Sequence, residues 1–306
     1  MATYRVGVVL RGKRVEMGVL EGGSVLGRRV FQCEGVPSAE KLMDTLCDHL
    51  EDLLLKRGLM PGDVEHIGMA VEGVVDSASG VALYTPGLLE RTPAPLASLM
   101  QGRVDVLPVL MQENWAIATA EQRFGGMQAQ ADWLCVNAGR SLSGALVLGG
   151  RVQLGALGTA GDLAHLRIPQ AGEGGCGERL GALASGMALQ AAALARLQPR
   201  GSGARLTLQE LFALAAQGDA EAGALIAQCA GWLARGIAEA IVLLGVDTVV
   251  VTGRLSEFGD AFLQPLREAL LTCEPSPWAT ADRVRLLRGT LGQDAALIGA
   301  AWGEID

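Results

Sequence analysis

Apolar and polar positions alternate with period two across residues 4–31, in the runs YRVGVVL, RVEMGVL and SVLGRRVF. Turns at Arg11-Gly12-Lys13 and Glu21-Gly22-Gly23 separate these runs, so the pattern predicts three paired strands. Over 39–58 the spacing becomes helical: Leu42, Leu46, Leu50, Leu53 and Leu54 share one face, and the helix closes near Pro61 and Gly62. Residues 66–71 and 104–110 read as strands around a loop at Pro86-Gly87, and 114–124 as an alanine-rich helix. Residues 139–166 organise the chain: a strand, a Gly149-Gly150 turn, a second strand, then a loop punctuated by Gly155, Gly158 and Gly161. That loop delivers Asp162 and His165. Beyond it the spacing predicts helices over 180–195, 206–216, 220–244, 258–271 and 293–302. Strands are predicted over 246–252 and 284–287, the first with the unbroken apolar run of a strand buried on both faces. Strands alternating with crossover helices define an α/β architecture.

The pattern also repeats. Residues 8–23 laid beside 135–150 bring Gly12 onto Gly139 and Gly22-Gly23 onto Gly149-Gly150, an offset of 127 residues. A basic residue follows the first glycine both times, Lys13 and Arg140. A duplicated unit of this kind predicts two lobes with a cleft between them and the two early turns facing each other. Such turns present backbone N–H groups to an anion such as phosphate.

Composition narrows the classes. With 306 residues, half of them hydrophobic, the chain is long enough for two cores. A net charge of -8 argues against a nucleic-acid surface, which is usually basic. The amino terminus lacks an apolar core followed by a small-residue cleavage site, and no run approaches 18 apolar residues without a charge. The expectation is a cytoplasmic protein with no membrane partner. The six cysteines form no CxxC pair and read as free, buried thiols.

Several motifs together resemble the ROK sugar kinases and repressors of the hexokinase–actin ATPase superfamily, over nearly the whole chain. They are Gly155, Gly158, Gly161-Asp162-Leu163-Ala164-His165, Cys176-Gly177, Ala184-Ser185-Gly186, residues 249–256 (VVVTGRLS), and the ending from Leu291-Gly292 to Ala300-Ala301. The resemblance implies two ribonuclease-H-like lobes with sugar and nucleotide bound in a central cleft. It assigns 1–113 to an N-terminal lobe closed by a C-terminal helix over 291–306, and 114–290 to a larger lobe.

The resemblance also shows departures. Family kinases open with a strand ending in Asp, then Gly-Gly-Thr-Lys; here Val9 takes the place of the metal-positioning Asp, and Arg11-Gly12-Lys13-Arg14 that of the turn. The second phosphate turn, Gly-Thr-Gly in the family, corresponds to Gly139-Arg140-Ser141. The base motif Asn-Asp-Ala-Asn corresponds to Gln112-Glu113-Asn114-Trp115 in two registers. Counting back from Glu121 puts Glu113 on the catalytic Asp; counting forward from Pro108 puts Asn114 there, and an amide is no base. The family's zinc site takes one His and three Cys. His165 and Cys176 match two of them, and two ligands do not hold structural zinc, so no zinc and no other metal site is expected.

Glu113 is thus the candidate base, and Gln112, Glu113, Asn114, Asp162 and His165 are the candidate sugar contacts. Gly12, Lys13, Gly139, Arg140, Thr252 and Gly253 are the candidate phosphate and nucleotide contacts. Each has a plainer reading: Asp162 as a loop cap, His165 as a packed histidine, Glu113 as a carboxylate on a helix dipole, Lys13 and Arg140 as solvated turn residues. His49 and His66 read as structural. Two functions follow: a sugar- or sugar-phosphate-binding regulatory homologue with weak or no phosphotransfer, or an ATP-dependent hexose or aminosugar kinase using Mg-ATP. The resemblance further implies a homodimer, and a chain starting at its first strand, without an amino-terminal helix-turn-helix, implies no direct contact with nucleic acid.

Overall fold

The computed structural model describes residues 3–169, 176–197, 206–273 and 283–303. Its first elements are β1 (Tyr4–Arg11), β2 (Arg14–Glu21), β3 (Ser24–Gln32), α1 (Ala39–Leu55), β4 (Val64–Val71), β5 (Val74–Asp76) and β6 (Val81–Tyr84). Next come α2 (Leu96–Gln101), β7 (Val109–Gln112), α3 (Glu113–Arg123), β8 (Trp133–Ala138), β9 (Leu142–Leu148), β10 (Arg151–Gln153), β11 (Arg167–Ile168) and β12 (Glu178–Arg179). The chain continues through α4 (Leu180–Leu183), α5 (Gly186–Leu197), α6 (Leu208–Ala216), α7 (Ala220–Leu244), β13 (Thr248–Thr252), α8 (Asp260–Cys273), β14 (Arg285–Arg288) and α9 (Ala295–Trp302).

These elements form two compact units. The first comprises residues 1–129, 154–159 and 293–306; the second, residues 130–153 and 160–292. The first unit therefore runs on through α3 instead of stopping at residue 113. Its sheet has the order β3-β2-β1-β4-β7; β1 and β2 run antiparallel, and β4 and β7 run parallel to β1 and to each other. The second unit's sheet, β10-β9-β8-β13-β14, has the same order and the same directions. The 127-residue repeat is thus a repeat of topology as well as of glycines.

In the first unit β1 and β2 are buried through their centres, and α1 covers the sheet with Leu42, Met43, Leu46, Leu50, Leu53 and Leu54. Full burial of each leucine contributes roughly 1.5–3 kcal/mol. Ser38 starts that helix by accepting from the Lys41 N–H. His49 packs against Phe31, the ring centroids 4.1 Å apart and the planes tilted by 57°. On the other face α9 lies on β1, β4 and α3, because Gly7, Gly68 and Gly299 leave room: a Cβ there would collide with the carbonyls of Leu297, Ala300 and Ala116. Trp302 closes the helix, its Nε1 donating to the Gly22 carbonyl while Arg5 lies over its ring. In the second unit α7 is the core helix, begun by Asp219 capping Ala222 N–H and ended by left-handed Gly245. At 25 residues it has the length and hydropathy of a membrane span, but 61% of its apolar window is buried within the protein.

Three elements differ from the sequence pattern. The strand expected over 104–110 occupies Val109–Gln112, because Pro108 lacks the N–H a ladder needs. The helix expected over 180–195 is two helices, α4 and α5, since the Ser185 hydroxyl caps a new start by accepting from Ala188 N–H. The β5–β6 hairpin lies ahead of the expected Pro86-Gly87 loop, its turn held by Asp76 accepting from Ala78 and Ser79. The cysteines are free; Cys47, Cys135 and Cys229 are buried, but Cys176 is exposed, contrary to a wholly buried set. Burial pushes the Cys229 thiol up to about 12.

Candidate functional site

The candidate residues fall into a group in each unit. In the first unit the β1–β2 ladder pairs Arg11 with Arg14, leaving Gly12-Lys13 as a two-residue turn. Gly12 takes a φ of 51°, which a side chain would strain, and a Cβ there would stand 3.8 Å from the Pro86 carbonyl. The turn thus lies beside the loop that follows β6. Lys13 is exposed.

β1, β4 and β7 are neighbours in the sheet, so the end of β7 lies near the end of β1 although 102 residues separate Arg11 from Glu113. Arg11 Nε donates to Glu113 Oε1 at 2.6 Å. Arg11 Nη1 also stands 3.7 Å from Glu16 Oε2. Glu16, on β2, is buried, and Arg14 Nη2 and Arg28 Nη1 each lie 3.4 Å from it; Arg28 also pairs with Asp294. Burial pushes the Glu113 carboxyl above the ordinary carboxylate range. The Arg11 charge and hydrogen bond oppose that rise, and the Glu72 and Glu16 carboxylates add to it.

Both neighbours of Glu113 are buried. The Gln112 side-chain amide donates to the Gly158 carbonyl, and Asn114 is buried within α3. A Cβ on Gly158 would meet the Trp115 ring at 3.4 Å, so Gln112 and Trp115 together hold residues 154–159 on this unit. Trp115 Nε1 and Thr85 Oγ1 are buried with no hydrogen-bond partner among the described residues. Neither was singled out in the sequence, where Trp115 and Thr85 carry no chemical signature.

The second unit gathers Gly139, Arg140, Thr252 and Gly253. Gly253, at the end of β13, has a φ of 79°, and a Cβ there would stand 2.8 Å from Gly139 N. The Gly139 and Arg140 carbonyls accept from the first N–H groups of α5, Gly186 at 2.9 Å and Met187 at 3.0 Å. Thr252 is buried, its hydroxyl 3.5 Å from the Val136 carbonyl. Arg254 turns to Glu257 at 3.0 Å.

Asp162 and His165 lie elsewhere in this unit, on a single 3-10 turn at Leu163–His165. Asp162 Oδ1 accepts from Ala164 N–H at 3.0 Å, which is the capping role. Its Oδ2 lies 3.9 Å from His165 Nε2, and the His165 side chain is 68% exposed. Burial pushes the Asp162 carboxyl up, against the Ala164 bond and the His165 charge.

Neither metal implied by the resemblance finds its donors in these groups. Val9 is buried and its side chain offers no oxygen, and the carboxylates of Glu113 and Glu16 are engaged by guanidinium groups, so these residues do not suit Mg²⁺. Among the described residues no three of His, Cys, Asp and Glu gather to hold a metal. Residues 170–175, just ahead of Cys176, lie outside the described set.

Comparison with known proteins agrees with the architecture. The pattern of the ROK family matches residues 12–303. A glucokinase of Streptomyces coelicolor is 25% identical over 319 aligned positions, covering 97% of this chain and 96% of its own. A xylose repressor of Caldicellulosiruptor bescii is 26% identical, covering 76% of this chain and 60% of the repressor. The crystal structure of a ROK family glucokinase from Streptomyces griseus, in complex with glucose and AMPPNP, superposes with a TM-score of 0.78 at 27% identity, over 97% of this chain and 98% of that one.

Proposed function

The chain belongs to the ROK family, and from that premise we propose that it is a carbohydrate-binding regulatory homologue with weak or no phosphotransfer. The observation that carries this reading is the 2.6 Å bond from Arg11 Nε to Glu113 Oε1. A general base must be free to reach the proton it removes, within about 3 Å of the reacting hydroxyl. Here one oxygen of the candidate base is already held by a fixed cation from its own fold. Val9 supports the same reading, since an apolar side chain positions no magnesium.

On this reading Glu113 contacts a sugar through its second oxygen, and Asp162 and His165 are a separate candidate for sugar contact within the second unit. Gln112 and Asn114 shape the wall around Glu113. Gly12, Lys13, Gly139, Arg140, Thr252 and Gly253 keep the form of anion-binding turns. We place the protein in the cytoplasm as a homodimer without zinc. Its net charge of -8 supports a partner other than nucleic acid.

A second reading, an ATP-dependent hexose or aminosugar kinase, is favoured by the kinase relatives and by the position of Glu113 at the start of α3. The two separate in one assay. Incubation with Mg-ATP and a panel of hexoses and aminosugars should release ADP far below the roughly 1 s⁻¹ at which ordinary kinases begin. Sugar-dependent turnover at or above that rate overturns the regulatory reading.

A further inference from the structure

We propose that the group of residues in the first unit takes an acidic sugar, bearing a phosphate or a carboxylate, and that Arg11 is the residue that selects for its charge. This rests on the reading that Glu113 faces a sugar. A guanidinium carries five N–H donors in a rigid plane. The Nε donor is spent on Glu113. Nη1 stands 3.7 Å from Glu16, too far for a hydrogen bond but near enough to be attracted. The remaining donors have no acceptor among the described residues.

Exposure indicates where those donors are presented. The Glu16 and Glu113 side chains are 6% and 13% exposed, whereas that of Arg11 is 29% exposed. One buried and one half-buried carboxylate, Glu16 and Glu113, therefore hold the guanidinium from behind, and the fixed plane is offered outward. Glu16 is shared with Arg14 and Arg28, so it neutralises Arg11 only in part. Lys13, on the same turn, is exposed and makes no ion pair among the described residues. A neutral hydroxyl uses such a plane poorly. An anionic oxygen pair accepts two parallel, charge-assisted bonds from it.

Glu113 adds the second half of the selectivity. Its Oε2 remains able to accept from a hydroxyl, yet its charge repels a bare anion. The preferred ligand carries both a hydroxyl for Glu113 and an anionic group for Arg11. That describes a sugar phosphate or a sugar carboxylate, and not inorganic phosphate.

The test is calorimetric titration of the full chain with glucose, mannose, N-acetylglucosamine and N-acetylmannosamine, with the 6-phosphate and the uronate of each, and with inorganic phosphate. At least one acidic sugar should bind tenfold or more tightly than its neutral parent and more tightly than inorganic phosphate. The phosphate and uronate arms tell the two sources apart. Arg11→Gln should reduce the acidic sugar to the affinity of its parent, and Arg11→Lys should keep part of the advantage. Far-UV circular dichroism checks that each variant is folded, and raised salt should weaken the acidic sugar alone in the native chain.

Neutral sugars binding as tightly as their acids, no binding by any compound, or an advantage that survives Arg11→Gln would each overturn the proposal. The proposed function fails differently. Rapid ADP release with an acidic sugar sinks the regulatory reading and leaves this inference standing. Tight neutral-sugar binding without turnover does the reverse.

Discussion

Asp162 has two roles that pull against each other. Its Oδ1 caps the turn at Leu163–His165, while burial pushes its carboxyl above the ordinary value of 3.8. A carboxyl raised in the folded state binds more protons there than in the unfolded chain, so stability falls as pH rises through the window just above 3.8. Glu113, also raised by burial, adds to the same slope. Asp162→Asn keeps a capping oxygen and removes the titration, so urea unfolding between pH 4 and pH 7 should show a flatter dependence than the native chain. Asp162→Ala should flatten it equally and lose about 1 kcal/mol at every pH for the missing cap. An unchanged slope in Asp162→Asn would mean that this carboxyl is not raised. The sequence brought out Asp162 through the motif Gly161-Asp162-Leu163-Ala164-His165, and Glu113 by its distance from Glu121. It left Asp162 open between cap and sugar contact, since both uses need the same residue type. The Arg11–Glu113 pair was hidden for another reason: the two lie 102 residues apart, and only the β1-β4-β7 neighbourhood brings them together.

At the level of elements, local pattern and long-range packing differ in how legible they are. The β1–β3 meander and the β8–β9 hairpin were readable from period-two alternation and glycine turns, both properties of neighbouring residues. The β7 boundary and the α4–α5 break were not, because one proline and one serine cap override a continuing apolar pattern. The apolar run of α9 was legible, but its seat was not. That seat depends on glycines from three separate segments, Gly7, Gly68 and Gly299, each letting backbone approach where a Cβ would collide. Gly299→Ala should therefore cost roughly 1–3 kcal/mol in urea unfolding, as overpacked contacts do. Gly231, on α7, has open space around its missing Cβ. Gly231→Ala should stabilise by about 0.5–1 kcal/mol, the helix-propensity gain alone. The opposite signs make the comparison diagnostic: two losses would mean that the space beside α7 is occupied, and two gains that α9 is loosely seated.

The whole molecule is one sheet order used twice, and the sequence disclosed this through the 127-residue offset alone. What it could not disclose is which unit owns the segments that cross the midpoint. Residues 154–159 lie between two stretches of the second unit yet belong to the first, because Gln112 and Trp115 bind them there. Each unit has its own apolar core: α1 and α9 enclose the first sheet, while α7 and α8 anchor the second with Leu233, Ile237, Phe262 and Leu266. A chain with two cores need not unfold in one step, and a lesion in one core need not weaken the other. Gly299→Ala provides the lesion, because its collision with Ala116 lies wholly within the first unit. Hydrogen exchange on that variant should show faster exchange in β1, β2, β4 and β7, and unchanged protection in β8, β9 and β13. The contrast should be largest in amides whose exchange requires the whole sheet to open, since local fraying is insensitive to a buried helix seat. Equal loss of protection in both sheets would show that the two units open together, with one free energy governing both.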